Sequence, residues 1–338
     1  MLVYNNYDLQ QYNTFGVAAV ARQFASFGNL DDLQEVWRSR GGNLEKTLIL
    51  GGGSNILFTQ DFDGLVLKNE IAGCKTIHED ERYLYLKVGG GVSWHQFVLH
   101  CIERNLAGVE NLSLIPGSVG AAPLQNIGAY GVEIKDVFYS LEAYHLLDNK
   151  LVNFTLNDCQ FGYRDSVFKT TFKQQFAIVS VTFRLNKVPH YNISYGAIQQ
   201  ELEKNPAEKL SVRAISDAVI RIRSSKLPDP KIIGNAGSFF KNPSITADQL
   251  ERLQEGHSTI PAYRLDDHHY KIPAGWLIEQ CGWKGFRRGD AGCYDKQALV
   301  LVNYGSATGH DILLLSQEIK SSVFSRFGIR LETEVNIL

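Results

Sequence analysis

Apolar positions in this chain fall mostly in short runs with strand spacing, interrupted by a few stretches of helical period. Leu30, Leu33, Val36 and Trp37 share one face of a helix that Asn29 and Asp32 cap at its start and Gly41 stops. The unbroken apolar run Thr47 to Leu50 reads as a buried strand, so the two form a β-α-β opening. Strands are also expected at Leu65 to Leu67 and Tyr83 to Val88. Trp94, Phe97, Val98, Cys101 and Ile102 form the stripe of a helix capped by Ser93, with Gln96 at the reciprocal position. A hairpin is expected from Asp136 to Leu147 and Leu151 to Phe154 about the turn Asp148-Asn149, then a strand at Phe176 to Leu185. Ser211 to Ser225 is helical, with Val212, Ile215, Val219 and Ile222 inward. Downstream the pattern gives a helix capped at Thr246, another from Gly275 to Cys281, a strand at Ala298 to Asn303, a long helix from Thr308 to Phe327 and a strand at Ile329 to Leu338.

Two glycine stretches fit neither period. Pro116 to Gly131, PGSVGAAPLQNIGAYG, holds four glycines, three alanines and two prolines, and a loop that long with such small side chains is uncommon without a function. Gly117, Gly120, Gly128 and Gly131 can turn backbone N–H groups toward an anion with no Cβ in the way. An Ω-loop packed on itself is the competing reading. The other stretch, Gly51-Gly52-Gly53-Ser54-Asn55, follows the strand at Thr47 to Leu50. It is not a dinucleotide fingerprint, because Ile56-Leu57-Phe58 continues without a 3.6 period. A tight turn explains three glycines alone, but two such loops favour a cofactor with two phosphates.

Composition narrows the setting. With 338 residues the chain suggests two or three domains, and Pro228-Asp229-Pro230 is a rigid break between them. A net charge of −2 offers no basic field for nucleic acid or an anionic membrane surface, so function is expected at a local site. Five cysteines without a C-x-x-C pair suggest reduced thiols, and the N-terminal residues show neither a basic n-region nor an apolar h-region. A cytoplasmic protein is the expectation, and a monomer.

Three groups look chemical. In Gly162-Tyr163-Arg164-Asp165-Ser166 a guanidinium among turn formers can hold a carboxylate through two parallel bonds, or simply pair with Asp165. Ser238, in Asn235 to Pro243, lies between small residues and an aromatic pair, though a lone Ser is more often structural. Leu331-Glu332-Thr333-Glu334-Val335 alternates and turns both carboxylates to one face of a strand. The pair His268-His269 beside Asp266-Asp267 is read as a polar loop, and no metal is expected. These residues give an α/β protein with a phosphate-bearing cofactor and no reaction.

The strings NTFG at Asn13, LGGGSN at Leu50, LIPGSVGAAPLQNIGAYG at Leu114, FGYRDS at Phe161, KLPDP at Lys226, GNAGSFFKNP at Gly234 and LETEV at Leu331 lie in order across nearly the whole chain. Together they resemble the UDP-N-acetylenolpyruvoylglucosamine reductases, the MurB family, and YNISYGAI around Tyr195 resembles the form with an extra tyrosine loop. The resemblance implies an α+β fold: an FAD-binding part of the vanillyl-alcohol oxidase type made of two subdomains, residues 1–72 with 329–338 and residues 73–227, and a substrate domain at 228–328. It implies noncovalent FAD held by Gly51, Gly52, Gly53, Ser54 and Asn55, by Gly117, Ser118, Gly120, Gln125, Asn126, Gly128, Ala129 and Gly131, and by Arg223. The family's loop often carries Glu where Gly52 stands here.

The family's catalytic groups fall on Arg164, Ser238 and Glu334, and its substrate contacts on Tyr163, Tyr195, Lys226, Asn242 and Gln297. The implied reaction uses NADPH as co-substrate and reduces an enolpyruvyl ether of UDP-N-acetylglucosamine, with hydride from the flavin N5 and a proton from Ser238. A flavin oxidase of the same fold, or a flavin-binding module without activity, are the alternatives.

Overall fold

The strand Thr47–Leu50 forms where the apolar run predicts it, and in this computed structural model, which describes residues 2–39, 41, 44, 46–204 and 209–338, it pairs in parallel with Phe62–Asn69. Their sheet runs in the order Tyr4–Asp8, Val20–Phe27, Phe62–Asn69, Thr47–Leu50. The β-α-β opening is therefore wider than its sequence pattern. Val20–Phe27 is the strand before the helix, and Phe62–Asn69 inserts between it and Thr47–Leu50. The helix, Leu30–Ser39, starts with Asn29 Oδ1 accepting the Asp32 N–H at 2.9 Å while Asp32 Oδ2 accepts the Gly28 N–H at 3.0 Å. Beyond its end Gly41 takes φ +71, a conformation open to glycine. Its inner face buries Leu33, Val36 and Trp37, and the Trp37 indole donates to the Leu146 carbonyl at 2.7 Å.

Leu146 follows a strand of a second, antiparallel sheet. Its order is Lys150–Thr155, Phe138–His145, Phe176–Asn186, Tyr83–Gly89, Cys74–Glu79. The expected hairpin is present, with His145 opposite Lys150 and Asn149 at φ +53 in the turn. Helix Trp94–Glu103 lays its predicted stripe on this sheet, with Trp94 and Phe97 at 5.8 and 4.6 Å from the Phe183 ring. Burying side chains of that size stabilises by roughly 1.5–3 kcal/mol each, which fixes the helix on the sheet. Ser93 does not cap it: no side-chain bond forms at the start of this helix. The backbone of Ser93 instead bridges to Ser118, and the Trp94 N–H donates to the Gly117 carbonyl at 3.0 Å. The glycine stretch has taken the capping role.

The chain clusters into two compact units, residues 1–7, 21–53 and 63–225 in one, and residues 8–20, 54–62 and 226–338 in the other. The sheets above belong to the first. In the second, Gly234–Ser238, Val300–Asn303, Ala291–Cys293 and Arg287–Arg288 form an antiparallel sheet. Helices Ala247–Gly256 and Gly309–Phe327 open with capping boxes, Thr246 with Gln249 and Thr308 with Asp311. The expected strand at Ile329 to Leu338 is reduced to Asn336–Ile337, which pairs in parallel with Ile56–Leu57. The alternation of LETEV is spent on a single bridge, Thr333 to Phe240. Trp37 and Trp94 of the first unit are buried, whereas Trp276 and Trp283 of the second are half-buried. Among the described residues no helix is long and apolar enough to cross a membrane, and all five cysteines are free thiols.

Candidate active site

In the first unit the two glycine stretches touch backbone to backbone. A Cβ on Gly52 would lie 2.7 Å from the Gly117 Cα, and one on Gly51 would collide with the Ser118 hydroxyl. Gly120 is as confined, its Cβ direction ending 2.9 Å from the Gly90 carbonyl oxygen and 3.1 Å from that of Ile178. The longer stretch is more ordered than a loop. Val119–Gln125 is a 3₁₀ helix containing Pro123, and Gly128–Ala129 pairs with Val132–Glu133 before Gly131 turns at φ +80. Two buried donors here, the Ser118 hydroxyl and the Arg223 Nε, have no hydrogen-bond partner among the described residues. A buried donor left unpaired costs about 1–3 kcal/mol, so a cradle of bare backbone with two such donors fits a ligand rich in acceptor oxygens, as a dinucleotide phosphate is.

Arg164 stands over the same stretch. Gly162 and Asp165 exchange backbone bonds at 3.0 and 3.4 Å, and this tight turn puts Arg164 at φ +53. Its guanidinium donates to the Gly128 carbonyl at 2.6 Å and lies 5.4 Å from the centre of the Tyr163 ring. Asp165 turns its carboxylate to the Ser166 N–H at 2.9 Å. Buried Asn126, at φ +43, donates to Glu133 at 2.9 Å and to the Gly162 carbonyl at 3.0 Å, and accepts the Lys135 N–H at 3.2 Å. Its side chain therefore ties the glycine stretch to the arginine turn.

Tyr130 was not legible as a site residue, yet it joins several that were. Its backbone sits at φ +51, strained for a bulky side chain at a cost of order 1–3 kcal/mol. Its ring meets the Tyr195 ring edge to face at 5.2 Å, and its hydroxyl oxygen accepts a hydrogen bond from Arg223. Burial pushes the Tyr130 hydroxyl up, with the Arg223 charge opposing. Burial likewise lowers Arg223, which also feels the charge of Arg164. Tyr195 itself is exposed just before helix Gly196–Glu203. The only sequence signal for Tyr130 is a large aromatic among glycines, which is ambiguous without the backbone angle.

The second unit gathers a separate set. Ser238 ends strand Gly234–Ser238 opposite Val300, beyond a bulge where Gly237 takes φ +70 and donates its N–H to Asn235 Oδ1 at 3.0 Å. The next carbonyl, that of Phe239, accepts the Glu334 N–H at 2.9 Å, and the Glu334 carbonyl accepts from Asn55 at 3.3 Å. Ser238, Glu334 and Asn55 are thus brought together from distant segments. The two carboxylates of LETEV part company: Glu334 is half-buried, while exposed Glu332 pairs with Lys241 at 3.2 Å. Asn242 and Gln297 converge on the start of helix Ala274–Gln280. Asn242 Oδ1 accepts the Ala274 N–H at 2.9 Å, and Gln297 Oε1 lies 2.8 Å from the Cβ direction of Gly275. Lys226 is exposed at the end of helix Val212–Lys226, and Ser54 is half-buried beside Asn55.

Residues 21–154 match the FAD binding domain family, which makes this mixed α+β chain a flavin-binding protein. Residues 229–338 match the C-terminal domain of UDP-N-acetylenolpyruvoylglucosamine reductase. The chain belongs to the UDP-N-acetylenolpyruvoylglucosamine reductase family. It is 49% identical to such a reductase from Amoebophilus asiaticus, over 98% of each chain, and 47% identical to one from Flavobacterium johnsoniae over 100% of each. The crystal structure of the enzyme from Thermus caldophilus shares the fold, with a TM-score of 0.68 at 23% identity over 99% of this chain and 98% of that one.

Proposed function

We propose that this chain reduces the enolpyruvyl ether of UDP-N-acetylglucosamine to UDP-N-acetylmuramate with NADPH, a step toward peptidoglycan. The observation that carries the reading is the identity of 49% with a reductase of that name across 98% of both chains. FAD, held noncovalently, would supply the two-electron redox chemistry. The residues suited to hold it are the glycines of the two stretches, with Ser118 and Arg223 offering their buried donors to its acceptor oxygens. Asn126 serves the cradle through the shape of the loop, since its amide is engaged by protein.

The chain's own groups then handle charge and protons. Reduction at the vinyl carbon builds negative charge on the neighbouring carbon and its carboxylate. Arg164 brings a guanidinium cation, which stabilises that carboxylate electrostatically. We assign Glu334 to the same developing charge as a hydrogen-bond donor. Ser238 hands its hydroxyl proton to the carbanionic carbon, which is basic enough to take one from a donor held in place. Tyr163, Tyr195, Lys226, Asn242 and Gln297 are assigned to the UDP-sugar.

The two separate sheets of the first unit, and the pairing of Asn336–Ile337 with Ile56–Leu57, support two FAD-binding subdomains, residues 1–72 with 329–338 and residues 73–227, with 228–328 as the substrate domain. Free cysteines support a cytoplasmic setting, and a single chain that carries every assigned group supports a monomer. The test is NADPH oxidation without oxygen. It should run only when the enolpyruvyl substrate is added; oxidation that needs oxygen instead, and ignores the UDP-sugar, refutes the assignment. Lys226→Ala should raise the substrate KM by roughly 30- to 100-fold, the loss of one charged hydrogen bond, with FAD content unchanged.

A further inference from the structure

Between strand Phe176–Asn186 and helix Gly196–Glu203, residues 187–195 form no regular element, yet they carry Tyr195. A segment of that kind is placed by side-chain bonds rather than by a ladder. The bonds converge on Asn111, a residue of a short 3₁₀ turn, 1% exposed and outside both glycine stretches. One amide nitrogen spends its two hydrogens on two backbone carbonyls, that of Tyr130 at 3.0 Å and that of Asn192 at 2.9 Å. Asn192 returns the contact by donating to the Gly131 carbonyl at 3.0 Å, and its Oδ1 accepts from the Ser194 hydroxyl at 2.8 Å and from the Ser194 N–H at 3.2 Å. The next residue is Tyr195, whose ring meets that of Tyr130 at 5.2 Å.

We propose that Asn111 is a positioning residue that sets the tyrosine segment in register with the glycine stretch, and so aims Tyr195 at the nucleotide part of the substrate. The amide orientation is fixed chemically, because both neighbours are carbonyl oxygens and only the NH₂ side can face them. No other side chain of the same shape supplies two donors there. An Asp would set a carboxylate against two carbonyls, and a Leu would leave both without this partner in a partly buried place. Tyr130 is held at a strained backbone angle by a neighbourhood that includes this bond, so its loss frees the tyrosine pair at both ends.

The inference rests on the reading of Tyr195 as a substrate contact, and the experiment separates the two. Asn111→Leu holoenzyme should keep its FAD and its rate of flavin reduction by NADPH, while the KM for the UDP-sugar rises about tenfold. Amide exchange at 192–195 should quicken. In a Tyr195→Ala background the same Asn111→Leu change should add little to KM, because the two act through one contact. If Tyr195→Ala alone leaves KM unchanged, the reading of Tyr195 fails and the proposal with it. If Tyr195→Ala raises KM but Asn111→Leu does not, or the two add in full, the positioning role is overturned and the Tyr195 reading stands. Should Asn111→Leu not yield folded protein, Asn111→Ser, smaller and with one donor kept, is put through the same comparison, with the same outcomes deciding.

Discussion

Arg164 is held by loops and Ser238 by a strand. Around Arg164 the backbone passes through positive φ at Asn126, Tyr130 and Arg164 itself, and the pieces are laced by side-chain bonds such as Asn126 to Gly162 and Arg164 to Gly128. Ser238 and Glu334 instead sit on main chain paired with main chain, Ser238 opposite Val300 and the Glu334 N–H on the Phe239 carbonyl. Strain of that kind persists only where surroundings over-determine it, so the arginine region should fail when a neighbour is altered. The serine region should tolerate a change of side chain with its geometry intact.

The largest expected effect tests the second half of that contrast. Ser238→Ala should slow oxidation of the reduced flavin by the UDP-sugar by roughly 10²–10⁴-fold, the usual worth of a general acid, and leave reduction by NADPH near wild type. Stopped-flow measurement of both half-reactions decides it. Equal losses in the two would mean that Ser238 shapes the site rather than donating a proton. Arg164→Lys keeps the charge but gives up the planar fork that reaches Gly128, and should lower the second half-reaction by about 10²-fold with FAD retained. Activity close to wild type would show that charge alone matters and that the loop lacing is incidental.

Gly120→Ala asks whether the cradle depends on bare backbone. The new Cβ meets carbonyl oxygens of Gly90 and Ile178, so the protein should lose roughly 1–3 kcal/mol of stability and purify with less flavin. Full yellow colour at unchanged Tm would contradict the close packing.

The smallest effect concerns pH. Glu110 is buried with its carboxylate on the Gly108 N–H at 2.6 Å, and burial raises its pKa. A raised carboxyl favours the folded state below the unfolded pKa, and that benefit is lost as pH rises through the folded value. Glu110→Gln should therefore be the more stable protein at pH 8, by about 1 kcal/mol, with the gap closing toward pH 4. Calorimetry at the two pH values measures it. A gap that widens in acid would reverse the argument.

How much of this could be read from the sequence depends on burial and on reach. Helix Trp94–Glu103 and helix Val212–Lys226 were legible because one face of each is buried and the period shows it. Cys74–Glu79 was not, since all six residues of this edge strand are exposed and no alternation is imposed on them. The glycine stretches announced a cradle, but the 3₁₀ helix inside the longer one was hidden by Gly, Ala and Pro, which carry no period. The convergence of Ser238 with Glu334 came from family motifs and not from spacing. Asn111 gave no signal at all: its two partners lie 19 and 81 residues away, and a lone Asn in a turn looks like any other.

The distribution of indoles has a use in the laboratory. The chain has four tryptophans, Trp37 and Trp94 within the first unit and Trp276 and Trp283 in the second. The first two are sealed from water and the second two are partly wet, so the fluorescence of one pair should be blue and that of the other redder. Each unit thus carries its own optical thermometer. Replacing one pair by phenylalanine would leave a single emitter set, and a denaturant titration would then report, unit by unit, whether the two melt together or in turn.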